Sequence, residues 1–89
     1  MFVMLHEPAP SFLSKARLHF PAHRARLEEF HRRGVLLAAG PLENPRDGSS
    51  MGLFTKREAA EEFVKDDPFI VNGVVARWRI REWADLFGR

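Results

Sequence analysis

A helix-period histidine and an aspartate–proline step carry most of the chemistry open to this chain. His23, Leu27, Phe30 and Gly34 fall on one side of a 3.6-residue pattern, with Arg24, Glu28, Glu29, Arg32 and Arg33 on the other. An inward imidazole has two readings. It is a core histidine hydrogen-bonded to a backbone carbonyl, or it is a general acid/base that needs a carboxylate to fix its tautomer. Asp67 is a carboxylate able to serve. Standing directly before Pro68, it also reads as an N-cap, with proline at the first helical position. The two readings of Asp67 are compatible if one oxygen caps and the other faces His23.

Other candidates are weaker. His19 and His23 are four apart, the spacing of a metal pair on a helix, but Pro21 lies between them and no third ligand is evident, so no metal site is expected. His31 on the helix flank and His6 at a strand end read as ordinary polar positions. Ser49 and Ser50 lack a nucleophile elbow or a local base. The six glycines are scattered, which leaves no phosphate-cradling loop, and no cofactor is expected. The absence of cysteine excludes disulfides, thiolate zinc sites, iron–sulfur clusters and a thiol nucleophile, and suits a reducing compartment.

The elements that must hold these side chains follow in order. Residues 2–6 are apolar on both faces and read as a buried strand. Residues 9–20 are mixed, a loop or a short helix. Pro21 reads as the opening of the first helix and Gly34 as its stop. On the exposed side, Glu28–Arg32 and Glu29–Arg33 are i,i+4 pairs worth ~0.2–0.5 kcal/mol each. Residues 35–40 read as a central strand, again apolar on both faces. After the turn signals Asn44-Pro45 and Asp47-Gly48 comes a short strand at 51–54, antiparallel to the second. Thr55 with Glu58 reads as a capping box, so that Thr55→Ala would cost about 1 kcal/mol. The helix that follows buries Ala59, Ala60, Phe63 and Val64 and ends near Asp66. Val74, Ala76, Trp78 and Ile80 then alternate with Val75, Arg77, Arg79 and Arg81, a strand with one arginine-bearing face.

Strand, helix, strand, strand, helix, strand is the α+β, ferredoxin-like βαββαβ arrangement: four antiparallel strands with two helices on one face. Eighty-nine residues make a single domain over 1–89, with a thin core. Two strands apolar on both faces need a second cover, and a second copy of the chain, sheet against sheet, is the economical one. With 45% hydrophobic and 29% charged residues the chain is globular rather than disordered. A net charge of +2 is too balanced for a protein that works by gripping nucleic acid. The stripe Arg77, Arg79, Arg81 lacks the aromatics of an RNA-binding sheet and is read as pairing with acids across a dimer or facing solvent. The longest weakly polar run, residues 34–42, falls far short of the ~20 a membrane span needs. A cytoplasmic protein without membrane partners is expected.

Pro21-Ala22-His23 with Leu27, the strand end Leu36-Leu37-Ala38-Ala39-Gly40-Pro41-Leu42, and Asp67-Pro68-Phe69 followed by Gly73-Val74 together resemble the YciI-like (YCII-related) family. Members often carry a basic residue before Pro-Ala-His, where this chain has Phe20. The resemblance implies the dimeric α/β-barrel architecture, in which ferredoxin-like subunits pair through their sheets. It also implies an active site made by the helix histidine and the Asp-Pro aspartate, here His23 and Asp67. A pocket is then expected between sheet and helices, with Phe20, Gly40, Pro41 and Phe69 lining it. A lone His–Asp dyad suits proton transfer, as in isomerisation or elimination on a small, cyclic organic compound. A non-catalytic ligand-binding or regulatory dimer would use the same pocket. The substrate itself is not legible.

Overall fold

The computed structural model describes residues 1–88. The elements are β1 (Phe2–Pro8), α1 (Phe12–Arg32), β2 (Leu36–Pro41), β3 (Ser50–Phe54), α2 (Arg57–Asp66), α3 (Pro68–Val71) and β4 (Val75–Glu82). The four strands form one antiparallel sheet in the order β2-β3-β1-β4, the ferredoxin-like α+β arrangement, with the helices on one face. Strand alternation sorts the side chains. Phe2, Met4 and His6 pair with Phe54, Gly52 and Ser50 on the helix side, whereas Val3 and Leu5 pair with Leu53 and Met51 on the outer side. Arg77, Arg79 and Arg81 lie opposite Glu7, Leu5 and Val3, so the arginine stripe also belongs to the outer face.

The core is built on phenylalanine. Phe30, Phe54 and Phe63 are wholly buried and meet at centroid distances of 6.4, 5.2 and 5.7 Å. Two of these contacts are edge-on, the arrangement the ring quadrupoles favour. Met4, Leu36, Ala59, Ala60 and Val64 complete the cluster. The expected inward set of the second helix, Ala59, Ala60, Phe63 and Val64, is buried as a whole.

Several expectations are corrected. The first helix does not begin at Pro21. It begins at Phe12, and Pro21 lies inside it, with its ring exposed to solvent. Proline removes one donor and crowds the preceding turn, which normally costs about 3 kcal/mol. Pro21 therefore does not separate His19 from His23, which share one helix. The C-terminal stop is as expected. Gly34 takes φ 78°, its N–H donates to the His31 carbonyl and that of Val35 to the Phe30 carbonyl, a Schellman closure. On the exposed face Glu29 pairs with Arg33, but Glu28 pairs backwards with Arg24 rather than forwards with Arg32. The strand β2 is an edge strand rather than a central one, and β1 takes the interior position.

Thr55 is not the cap of α2. Lys56 occupies that position, in extended conformation, with no side-chain hydrogen bond to the helix. Among the arginines of β4, Arg77 pairs with Glu7 of the neighbouring strand at 2.8 Å, inside the same chain. No helix among the described residues is long and apolar enough to cross a membrane.

Denaturant unfolding tests this core. Phe63→Ala removes the ring shared by both helices and the sheet and is expected to cost about 3–5 kcal/mol. Thr55→Ala is expected to change stability by no more than a few tenths of a kcal/mol, about the scatter of surface substitutions.

Candidate functional site

His23 leaves the middle of α1 one turn before Leu27 and two before Phe30, so it continues the buried stripe of that helix. Asp67 stands at the junction of α2 and α3. Its extended backbone, φ −62° and ψ 123°, is what a residue before proline and an N-cap both require. Its Oδ1 accepts the Phe69 N–H at 3.3 Å, which caps α3. The same Oδ1 lies 2.7 Å from His23 Nδ1. The capping and histidine-binding roles are therefore not divided between the two oxygens. One oxygen does both, and Oδ2 is buried without a partner among the described residues.

A carboxylate only accepts, so His23 Nδ1 carries the hydrogen and donates it. In the neutral form of the ring, Nε2 is then the nitrogen with the lone pair. The side chain of Asp67 is fully buried and that of His23 is 10% exposed. Phe69 stacks flat on the imidazole, 3.9 Å away at an interplanar angle of 4°. Phe63 meets it edge-on at 6.3 Å, and Phe20, half exposed, lies 6.5 Å from His23 and 6.4 Å from Phe69. Phe20 and Phe69 thus both pack against the His23 ring.

Arg26 fixes the junction. One helical turn beyond His23, its Nε donates to the Phe63 carbonyl at 3.2 Å and its Nη2 to the Glu62 carbonyl at 2.8 Å. Its guanidinium also lies over the Phe30 and Phe63 rings. Arg33 makes a two-pronged contact with Glu62, both bonds 3.0 Å. The end of α2, and with it Asp67, is thereby tied to the helix that carries His23.

His6 is a buried polar residue that the sequence reading passed over. It is 3% exposed, on the helix side of β1, and its Nε2 has no partner among the described residues. Burial pushes its imidazole down to about 4; the negative charge of Asp67 opposes this and His23 adds to it. The legible signal was parity: His6 shares a face with Phe2 and Met4. Across the sheet it lies in one row with Ser50, Pro41 and Trp78. Pro41 is therefore in the row of His6. Gly40 is one residue out of phase and belongs to the outer face, opposite Met51, so it does not line the dyad.

Two concavities lie elsewhere. One of about 430 Å³ runs between α1 and the edge strand β2, among Arg24, Leu27, His31, Leu36 and Ala39. Another of about 370 Å³ lies at the sheet among Leu5, His6, Glu7, Leu42, Trp78 and Arg79, so it reaches His6. Neither is lined by His23 or Asp67, which sit beneath Phe20 and Phe69. No cluster of three His, Cys, Asp or Glu side chains is arranged to hold a metal among the described residues.

The buried His6 makes stability depend on pH. Its folded value lies below the unfolded value of 6.5, so the unfolded chain takes up a proton that the folded chain refuses. Its contribution is complete above about pH 6.5 and is lost as pH falls toward about 4, by about 3 kcal/mol over the window. Thermal melting of wild type between pH 7 and 4.5 should therefore fall more steeply than that of His6→Phe. Parallel slopes would show that His6 is not the group responsible.

The comparisons with known proteins agree with this architecture. The YCII-related domain family matches residues 1–84. Protein YciI of Escherichia coli O6:H1 is 28% identical over 97 residues, covering 98% of this chain and 99% of that protein, and Protein YciI of Shigella flexneri matches to the same extent. Among solved structures, 5-chloro-2-hydroxyhydroquinone dehydrochlorinase (TftG) from Burkholderia phenoliruptrix AC1100, in complex with 2,5-dihydroxybenzoquinone, is similar with a TM-score of 0.76. It covers 93% of this chain and 92% of its own, at 21% identity, a likeness of fold. Through the family match over almost its whole length, the chain belongs to the YCII-related domain family.

Proposed function

We propose that this protein is a small homodimeric enzyme that moves a proton on a small cyclic compound, in an isomerisation or an elimination, with His23 as the base. The observation that carries this reading is the 2.7 Å bond between His23 Nδ1 and the fully buried Asp67. It holds the imidazole in the tautomer whose Nε2 is free to take a proton. In an elimination, Nε2 would accept the proton from a C–H or O–H of the substrate. The freed electron pair forms the new double bond, and the leaving group departs with its own bonding pair. Asp67 stabilises the resulting imidazolium. The walls of the site are flat aromatic rings, Phe69 and Phe20, which suits a planar cyclic substrate. The fold neighbour named a dehydrochlorinase, bound to a dihydroxybenzoquinone, adds support for the elimination branch.

Burial of the dyad under Phe20 and Phe69 favours, as the second reading, a non-catalytic module that binds a small ligand at the same place. Turnover separates the two. With 5-chloro-2-hydroxyhydroquinone and related cyclic halides and lactones as substrates, His23→Gln and Asp67→Asn are each expected to lower kcat by about 10²–10⁴. If none of these compounds is turned over but they bind with unchanged affinity to both variants, His23 is scaffolding and the enzyme reading falls.

The homodimer belongs to the same proposal. Val3, Leu5, Met51 and Leu53 form an apolar strip on the outer sheet face, bordered by the arginines of β4. Met51 and Leu37 are exposed in the single chain, as are Leu86 and Phe87 of the tail. Sheet-to-sheet pairing would cover this strip. Sedimentation at micromolar concentration should give a dimer, and Met51→Glu should yield a monomer or an unfolded chain. A clean 10.3 kDa species from wild type would overturn the pairing. The cysteine-free composition suits a reducing compartment, and we place the protein in the cytoplasm.

A further inference from the structure

His23 meets solvent through a narrow opening. Its side chain is 10% exposed, that of Asp67 is fully buried, and neither concavity of the molecule is lined by the pair. Among the described residues, the buried polar atoms without a partner are His6 Nε2 and Asp67 Oδ2. His23 Nε2 is not one of them, although the hydrogen bond of that ring is made through Nδ1. The exposed part of the imidazole therefore includes Nε2, on the edge turned away from Asp67.

Three phenylalanines pack against this ring, and they are not held alike. Phe63 is wholly buried in the core cluster. Phe69 stacks on the imidazole at 3.9 Å, its N–H caps α3 through Asp67 Oδ1, and its carbonyl accepts the Val74 N–H at 2.8 Å. Displacing Phe63 opens a void in the core, and displacing Phe69 strips the stacked face from the imidazole. Phe20 is 49% exposed, and its ring contacts are tilted and loose, 6.5 Å from His23 and 6.4 Å from Phe69. Its departure gives up only those contacts and turns a ring that is already half wet into water. The backbone beneath it is weakened as well. Pro21 has no N–H to donate to the Arg17 carbonyl, so the turn that carries Phe20 lacks one helical bond.

We propose that Phe20 is the gate of the site: its ring swings toward solvent to admit a ligand to His23 Nε2, and its bulk sets the size of what enters. Phe63 and Phe69 stay in place while it moves. An exposed side chain changes rotamer within nanoseconds, so this gating needs no rearrangement of the fold. On the reading that the dyad site takes a small molecule, Phe20 is a specificity-determining residue of that site.

Acylation of the histidines by diethyl pyrocarbonate, followed residue by residue on the full-length protein by tandem mass spectrometry, reads the gate without a substrate. Phe20→Ala is expected to speed modification of His23 by about tenfold, roughly what two lost aromatic contacts are worth as a rate. Phe20→Trp, which keeps an aromatic ring and adds bulk, should slow it. The exposed His31 and the buried His6 serve as references, and each should react at one rate in wild type and both variants. The bulkier di-tert-butyl dicarbonate should gain more from Phe20→Ala than diethyl pyrocarbonate does. An unchanged His23 rate in Phe20→Ala would overturn the gate. So would a parallel rise at His6, which would make Phe20 a support of the fold rather than a guard of the site. An equal gain for the two reagents would overturn the size selection. Accessibility and turnover separate the gate from the dyad. If His23→Gln abolishes turnover while Phe20→Ala leaves the His23 rate unchanged, the dyad reading stands and the gate falls. If no compound is turned over yet Phe20→Ala opens His23 to the reagents, the gate stands and the enzyme reading falls.

Discussion

One carboxylate oxygen joins the helical layer to itself. Asp67 Oδ1 accepts the capping N–H of Phe69 and the Nδ1–H of His23, so a single atom fixes the start of α3 and the middle of α1. A buried carboxylate is tolerated only when its charge is answered by such donors. The α2–α3 junction must therefore stay where those donors are. The extended backbone of Asp67, imposed by Pro68, aims the side chain back toward α1 rather than along the axis of α2. Replacing either partner would strand the other in a region that water does not reach.

That arrangement holds because the packing around it is stiff. Arg26 lies over two core phenylalanines while it bonds two carbonyls at the end of α2, so cation–π contact and hydrogen bonding act through one side chain. The Phe30–Phe54–Phe63 cluster runs without a break into the site, where Phe63 meets His23 edge-on and Phe69 stacks on its other side. Rotation of the imidazole would have to displace these rings. Its orientation is thus set twice, by the carboxylate and by the aromatic walls. Phe20 is the least confined of the walls, with half its surface toward solvent, on the turn of α1 that contains Pro21.

The two sheet faces divide the work. The helix side carries Met4, Phe54 and Leu36 at one end and the row Pro41–Ser50–His6–Trp78 at the other, so the sheet changes from pure core to polar floor within two residues of β1. The outer side has an apolar centre bordered by arginines, one of them neutralised inside the chain by Glu7. An apolar strip of this kind is unusual on a surface that stays exposed to water.

Much of this was written locally in the sequence. The period of Ala59, Ala60, Phe63 and Val64, the alternation of the last strand, the glycine stop at Gly34 and the Asp67-Pro68 cap each depend on neighbours a few residues away, so residue type and spacing specify them. His23 and Asp67 were legible because helix phase and proline chemistry point one inward and hold the other at a helix start. What required the tertiary structure was everything set by distant neighbours. Pro21 sits within a long helix because packing along α1 outweighs a local breaker, and Thr55 lost the cap because its N–H is still bonded to the Val35 carbonyl beside β2, which leaves the cap position to Lys56. The sharing of Oδ1 and the orphaned Oδ2 come from residues 44 positions apart brought to one point, and no local rule encodes a meeting of that kind. Strand parity told which way His6 pointed, but only the packing of α1, α2 and α3 over that face decided what it would meet there.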